Sequence, residues 1–256
     1  MISLNKKQLF SLGLCLFVLG FVGILSMLTM DISLPADVEQ VLKKDFSDQQ
    51  IKYLILVNPT ILLLVAVVLG TILYNKVNLN IPVLEKVFGF EKEGVYFIEL
   101  IKYGVLYGLI SGILLSGLSL LFTPMLPFEF KVLGNAIQPT LAARFLYGGL
   151  TEEIMLRFGL MTFVVWLISK LTRSLKPFVY WGGILITAIV FAFSHFPIVF
   201  QALDNPSSLL LLYVLLGNSI GGIIFGWLYW KKGLEAAFIA HLFTHVVLVS
   251  LDTLLN

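Results

Sequence analysis

Carboxylate, guanidinium and imidazole side chains occur inside strongly apolar stretches of this sequence, and their types and spacing suit hydrolytic chemistry. The set comprises Glu152, Glu153, Arg157, His195, His241 and His245. A charged residue at bilayer depth costs about 2.5 to 3.5 kcal/mol on insertion scales, so ionisable groups there usually mark a functional site that faces the protein interior. Carboxylates and imidazoles can activate water as general bases or bind a divalent metal.

The two neighbouring carboxylates are expected to have different roles. Glu153 and Arg157 are four residues apart and share a helix face, so they can form an ion pair that lowers the cost of burying both charges. A helix turns by about 100° per residue, so Glu152 points in another direction and lacks that local partner. We therefore expect Glu152 to be the carboxylate that is free for proton transfer.

The histidines also show helical spacing. Phe191 and His195 are four residues apart, which places an aromatic ring one turn from the imidazole. His241 and His245 repeat that spacing and project from one face of another helix. The pattern predicts one histidine from one apolar segment and two from a second.

Three interpretations of this set remain open on spacing alone. The first is a structural network, in which intramembrane hydrogen bonds contribute about 0.6 to 2 kcal/mol each. The second is a divalent-metal site, because His241 and His245 have the spacing of the H-E-x-x-H motif, although Leu242 replaces its catalytic glutamate. The third is metal-free hydrolysis, with Glu152 and His195 polarising a water while the other imidazoles stabilise the oxyanion.

The composition defines the elements that must position these residues. Hydrophobic residues make up 59% of the 256-residue chain and charged residues only 12%, and the mean hydropathy is +0.98. Such values exclude an ordinary soluble domain and indicate a polytopic membrane protein. Apolar segments of about 20 residues or more, the length that crosses a bilayer, lie at 9–30, 53–74, 103–125, 141–171, 178–200, 208–230 and 234–254.

We therefore predict an all-α transmembrane bundle of about seven spans, with eight as the alternative. Residues 1–140 form a three-span region with an interfacial amphipathic segment at 76–102, and 141–256 form the core that carries the chemistry. Span four is longer than a perpendicular helix requires, so we expect it to tilt, protrude or bend near Gly148 and Gly149. The single cysteine excludes an intrachain disulfide and a cysteine-based zinc site.

The distribution of lysine and arginine predicts the orientation. With the N-terminus in the cytoplasm, eleven basic residues fall in inner segments and five in outer ones, so the C-terminus lies outside. At 1.5 Å per residue, His195 would then lie only about 7 Å from the outer end of span five, and His241 about 10 Å from the inner end of span seven. If His195 and His241 belong to one site, the fold must bring their side chains to the same depth in the membrane.

The ordered motifs resemble those of one family. They are Glu152-Glu153-x3-Arg157, Phe191-x3-His195 and His241-x3-His245. In this order, in apolar segments and about 40 residues apart, they are similar to the three motifs of the CPBP family, which includes CAAX prenyl endopeptidases and bacteriocin-processing or Abi proteins. The similarity covers spans four to seven, from Ala142 to the end of the chain.

The resemblance implies a glutamate-dependent intramembrane endopeptidase that needs no metal or other cofactor. Glu152 would be the base that activates water and His195 its partner. His241 would support the site or belong to the oxyanion hole. His245 occupies a position that is commonly asparagine or aspartate in the family, and an imidazole there can still donate a hydrogen bond but can also bind metal.

The remaining motif residues would have supporting roles. Glu153 and Arg157 would hold the first motif in shape, and Phe191 would pack beside His195. The expected partners are a peptide or membrane-anchored protein substrate and membrane lipid, without nucleic acid, in the bacterial plasma membrane. The alternatives are a non-catalytic immunity or scaffold protein of the same family and a metal-dependent membrane hydrolase. The sequence does not define the oligomeric state.

Overall fold

The chain forms a bundle of helices in a computed structural model that describes residues 5–30, 34, 36–90 and 97–255. These residues contain helices and no strand. Seven of the described helical segments are long and apolar enough to cross a membrane. The prediction of an all-α, seven-span membrane protein is confirmed.

The first half of the bundle contains α1 (Lys6–Ser26), α2 (Ala36–Leu42), α3 (Asp48–Leu54), α4 (Val57–Leu73), α5 (Pro82–Val87), α6 (Phe97–Phe122) and α7 (Pro127–Ala136). The second half contains the π-helices π1 (Ala143–Glu152) and π2 (Ile154–Met161), followed by α8 (Thr162–Thr172), α9 (Pro177–Ser194), α10 (Phe196–Ala202), α11 (Ser208–Lys232) and α12 (Leu234–Leu255). Short 3₁₀ turns, Met27–Thr29 and Tyr74–Val77, extend α1 and α4.

Several helix ends follow from local sequence signals. Asn5 and Gln8 form a reciprocal capping box at the start of α1, and Ser207 accepts a hydrogen bond from a backbone N–H in the first turn of α11. Pro177 opens α9, where its missing N–H has no helical partner to lose. Gly233 separates α11 from α12 with φ at 107°, a conformation that L side chains rarely adopt.

Span four combines two π-helices with α8, and its glycine pair lies within the first π-helix. A helix closed by i→i+5 hydrogen bonds is rare and is often found at functional sites. It holds more residues in each turn than an α-helix, so it takes up part of the excess length that the sequence shows. The Thr151 hydroxyl fixes π1 to α1 by donating to the Gly20 carbonyl at 2.7 Å.

The glycine stripe of α6 is used for packing within the chain. A Cβ at Gly108 would lie 2.5 Å from the Ala240 carbonyl oxygen, and one at Gly112 would lie 2.5 Å from Val247. Gly104 packs in the same way one turn earlier. Because these positions have no side chain, the α6 and α12 backbones approach closely, as small residues allow in membrane bundles.

The segment that was predicted to lie at the membrane interface is partly inside the protein. Val77, Leu79 and Ile81 are completely buried, and Glu85 is only 1% exposed. The Leu234 backbone N–H at the start of α12 donates to the Asn80 carbonyl at 3.1 Å. Helix α12 therefore begins against other residues of the protein and not at the surface of the bundle.

Glu235 supports this contact. An acid in the first turn of a helix is expected to interact with the N-terminus of its own helix, but Glu235 also binds a neighbouring one. Its carboxylate accepts from the backbone N–H groups of Val83 and Leu84 at 2.9 and 3.0 Å. It thus caps α5, a neighbouring helix, and links that helix to α12.

Candidate active site

One cavity in the bundle contains the four side chains that the sequence predicts to be catalytic. Glu152, His195, His241 and His245 all line this cavity, which has a volume of about 570 Å³. They come from π1, the junction between α9 and α10, and α12. The rest of its wall includes residues of α6 and α11 and is mainly apolar.

The two neighbouring carboxylates are in different environments. Glu152 is half-buried and lines the cavity, whereas Glu153 is completely buried and does not line it. The Glu153 Oε2 atom lies 3.2 Å from the Arg157 Nε atom, which confirms the predicted ion pair. Its Oε1 atom lies 2.9 Å from the His241 Nδ1 atom. Glu153 is therefore a bridge behind the cavity that connects π2 to α12.

The Arg157 guanidinium is held by carbonyl and aromatic groups as well as by Glu153. Its side chain is 1% exposed, and Nη2 donates to the Gly222 carbonyl at 3.4 Å. The guanidinium carbon lies 5.2 Å from the centre of the Phe191 ring and 5.6 Å from that of Phe225. Cation–π contacts of this kind favour a cation that has been removed from water.

His241 is fixed by contacts on both faces of its ring. It stacks on Phe225 at a centroid distance of 4.6 Å and on His245 at 4.9 Å. Because a carboxylate accepts and does not donate, the His241 Nδ1 atom carries the proton that is shared with Glu153. In the neutral ring, Nε2 is then an acceptor.

His195 lies between α9 and α10, where the chain leaves one helix and enters the next. Its Nδ1 atom lies 2.9 Å from the Phe191 carbonyl oxygen, which can only accept, so Nδ1 carries the proton and the neutral Nε2 has a free lone pair. The Phe191 ring stands at 87° to the imidazole with the centroids 4.7 Å apart. Phe191 thus packs beside His195, as the family resemblance implies.

The absence of a side chain at Gly148 lets the imidazoles of α12 approach π1. A Cβ on this residue would lie 2.8 Å from the His245 Nε2 atom and 3.7 Å from the His241 Nε2 atom. The His245 Nδ1 atom is buried and has no hydrogen-bond partner among the described residues. Both Nε2 atoms therefore face the backbone of the helix that carries Glu152.

The metal interpretation has limited geometric support. The side chains that could supply ligands are Glu152, His195, His241 and His245, since all four line the cavity. Within the described parts of the chain, no group of three or more His, Cys, Asp or Glu side chains is arranged to hold a metal ion.

Sequence reasoning missed several residues of this cavity. Phe225 was not identified, because an aromatic residue in an apolar span looks like an ordinary packing residue. Asn218 also lines the cavity, and its amide in an otherwise apolar span was a usable signal. Arg144 was counted only as one of the five outer basic residues, but it belongs to π1 and lines the cavity.

Together, the fold and this cavity define an integral membrane protein that has a glutamate–histidine site within its helical bundle. The family model described as type II CAAX prenyl endopeptidase Rce1-like matches residues 135–247, the segment that carries all three motifs. This segment is therefore similar to a CAAX-protease-type domain, and the match supports the resemblance to the CPBP family that the three motifs indicate. No curated protein and no solved structure matches the chain.

Proposed function

We propose that this protein is an intramembrane endopeptidase that hydrolyses peptide bonds in peptides or membrane-anchored proteins through a water activated by Glu152. The observation that carries the proposal is that Glu152 is the only carboxylate among the described residues lining the cavity. Glu153 is occupied by Arg157 and His241. A carboxylate that acts as a hydrolytic base must reach its water, and of these two glutamates only Glu152 lines the cavity.

The reaction begins with a water held between Glu152 and His195. One O–H donates to the Glu152 carboxylate and the other to the His195 Nε2 atom, whose lone pair is free because Nδ1 donates to the Phe191 carbonyl. The Glu152 carboxylate takes the first proton while the water oxygen bonds to the substrate carbonyl carbon. The carbonyl π electrons move to its oxygen, which becomes the oxyanion of a tetrahedral intermediate.

We assign the α12 imidazoles, which line the same cavity, as the donors to that oxyanion. His245 donates from Nε2 when Nδ1 is unprotonated, and Gly148 leaves space for its ring beside π1. His241 orients this ring by stacking on it and donates to the oxyanion only when it is itself protonated. When the intermediate collapses, the C–N bond breaks and the proton on Glu152 passes to the leaving amine nitrogen.

The buried ion pair positions the α12 imidazoles and does not touch the substrate. Glu153 holds His241 through Nδ1, and Arg157 holds Glu153 while contacting the Phe191 and Phe225 rings. Such contacts fix the direction of groups that act on the reacting atoms. This arrangement needs no metal or other cofactor.

The surroundings favour an apolar substrate segment. The cavity wall is mainly apolar and lies inside a bundle whose outer helices carry many exposed aliphatic side chains. We propose the maturation or export of a small peptide at the bacterial plasma membrane, with the N-terminus cytoplasmic and the C-terminus outside. No nucleic acid partner is involved.

The test compares the peptides released by cells that express the wild-type protein, Glu152→Gln or Glu99→Gln. Glu99 is the matched control, because its carboxylate is mostly exposed and pairs with Lys232 away from the cavity. The proposal expects peptides that appear with wild type and Glu99→Gln and disappear with Glu152→Gln. The same peptides in all three samples would remove Glu152 from the mechanism, and the absence of cleavage by wild type would favour a non-catalytic immunity or scaffold protein.

The metal-dependent alternative has its own test. Purified wild-type protein is assayed on a released peptide before and after dialysis against a strong chelator, with elemental analysis of the dialysed sample. The proposal expects full activity without bound zinc. Loss of activity on dialysis that is restored by zinc would replace the proposed chemistry with metal-assisted hydrolysis.

A further inference from the structure

The cavity has a single guanidinium group in its wall. Among the described lining residues, Arg144 is the only lysine or arginine, and Glu152 is the only acid. Both belong to π1, with Tyr147 and Gly148 between them on the cavity side. The proposed catalytic mechanism does not use Arg144.

Local contacts hold the Arg144 side chain at the entry to π1. Its Nε atom donates to the Pro139 carbonyl at 3.3 Å. The neighbouring Thr140 hydroxyl accepts from the Ala143 backbone N–H at 3.2 Å and lies 2.6 Å from the Thr29 hydroxyl at the end of α1. Among the described residues, no contact uses the two Nη groups, and no carboxylate forms an ion pair with this guanidinium.

We infer that Arg144 binds a carboxylate of the substrate, an assignment that rests on the proposed function. A guanidinium in a mainly apolar cavity is stabilised by an anion, and its planar Nη groups match the two oxygens of a carboxylate. Since Nε is engaged by Pro139, the Nη pair is the part of the side chain that remains for the ligand. The Glu152 carboxylate, of opposite charge, lies further along the same helix and binds the water in the proposed mechanism.

The separation of the two charged groups limits where the carboxylate lies in the substrate. Arg144 and Glu152 are eight positions apart, at most about 12 Å along the axis at the α-helical rise of 1.5 Å per residue. An extended peptide advances about 3.3 Å per residue. This axial separation corresponds to roughly four residues of extended peptide, so the carboxylate lies near the scissile bond and not at a remote part of the substrate.

Two sources can supply such a carboxylate, the C-terminus of the peptide or an aspartate or glutamate side chain. The experiment separates them with four dansyl-labelled apolar hexapeptides. One has a free C-terminal acid and no acidic side chain, and one is its C-terminal amide. The third and fourth are amides with glutamate or glutamine at the penultimate position. Binding is measured by fluorescence anisotropy on the full chain in lipid nanodiscs, in the Glu152→Gln background so that no turnover occurs.

We expect the protein with Arg144 to bind one acidic form roughly tenfold or more tightly than its neutral partner, the magnitude of a hydrogen bond to a charged group. Arg144→Gln should abolish that preference, and Arg144→Lys should retain part of it because the charge remains without the planar fork. Lys131→Gln is the matched control, since Lys131 is exposed on α7 and does not line the cavity. It should leave the preference unchanged.

Several results would overturn the assignment. Equal affinity for the acidic and neutral forms in the presence of Arg144, or no binding of any of the four peptides, contradicts it. So does an equal loss of affinity for all four peptides in Arg144→Gln, which would indicate a structural role. If Arg144→Gln does not fold, the same comparison is made with Arg144→Lys, and an undiminished preference there contradicts the fork geometry.

This experiment is independent of the proposed chemistry. If the protein prefers an acidic peptide but the wild type shows no cleavage, the proposed function is contradicted and the binding role of Arg144 is supported. If the protein cleaves through Glu152 but shows no such preference, the proposed function is supported and the binding role of Arg144 is contradicted.

Discussion

At the scale of single residues, the decisive contrast is between two adjacent glutamates. Glu152 faces the cavity, while Glu153 is enclosed between Arg157 and His241. Their separation follows from helical geometry, which sends neighbouring side chains in different directions. One carboxylate is thus available to a substrate water, and the other holds an imidazole in place.

The buried ion pair leads to a stability prediction. Glu153→Gln strands the Arg157 charge, so we expect the free energy of unfolding to fall by about 3 to 5 kcal/mol, measured by denaturation in detergent. The double variant Glu153→Gln/Arg157→Gln should lose less than the sum of the two single variants, because neither charge is left alone.

The control for that prediction is Glu99→Gln, which breaks an exposed ion pair with Lys232. An exposed pair of this kind contributes about 0 to 1 kcal/mol. Unfolding curves of Glu153→Gln and Glu99→Gln that coincide would show that the Glu153–Arg157 pair does not support the fold.

Motif spacing correctly predicted contacts between individual side chains, but only for residues that belong to a motif. The i,i+4 pairs predicted the contacts between Glu153 and Arg157 and between His241 and His245, because helical spacing alone fixes them. Phe225 could not be predicted in this way. Its role depends on α11 packing against both π2 and α12, which a single sequence does not encode as a pattern.

At the scale of elements, the contact between π1 and α12 decides whether the imidazoles reach the carboxylate. This contact depends on Gly148, where the place of a side chain is taken by the His245 and His241 rings. The α6 glycines contribute from the other side, since they let α12 settle against α6. The catalytic arrangement is therefore held by close backbone packing on both sides of α12.

Gly148→Ala tests this contact. The new methyl group would displace the His245 ring, so we expect kcat/KM for a released peptide to fall by about 100-fold, the cost of a displacement near 1 Å at a reacting centre. The thermal unfolding midpoint should remain close to that of wild type, because alanine favours a helix more than glycine does.

Gly117→Ala is the corresponding control, because a Cβ there meets no atom within 4 Å. It should leave kcat/KM unchanged. If Gly148→Ala is as active as Gly117→Ala, the proximity of π1 to the His245 ring is not required for catalysis.

Hydropathy predicted the spans but not how they are built. It correctly identified seven apolar segments, since the length of a span is set by the thickness of the bilayer. It did not predict the π-helical hydrogen bonding of span four, because apolarity reports burial in lipid and not hydrogen-bond register. The buried part of the segment 76–90 was missed for a related reason: its alternating pattern looks the same against lipid headgroups as against protein.

At the scale of the whole molecule, the bundle brings His195 and His241 together. The predicted ends of the spans alone would place these two histidines at different depths in the membrane. Helix α12 begins on the layer formed by residues 77–90, which moves His241 away from the end of the bundle. His195 stands at the junction of α9 and α10, inside the apolar stretch and not at its end. Both residues consequently line one cavity.

The orientation of the molecule remains a prediction from its lysine and arginine distribution, and labelling can test it. In a Cys15→Ala background, Lys131→Cys should react with a membrane-impermeant maleimide on intact cells. Lys176→Cys should react only after the cells are permeabilised. Both side chains are exposed in the bundle. The reverse pattern would place the N-terminus outside and contradict the positive-inside assignment.

The most direct test of the account is the turnover of a released peptide by purified Glu152→Gln in lipid nanodiscs. Loss of a general base typically removes about 10² to 10⁴ in rate, so we predict a fall in kcat of at least 100-fold with an unchanged unfolding midpoint, while Glu99→Gln turns over like wild type. A Glu152→Gln protein that retains wild-type kcat would contradict the assignment of Glu152 as the base that activates water.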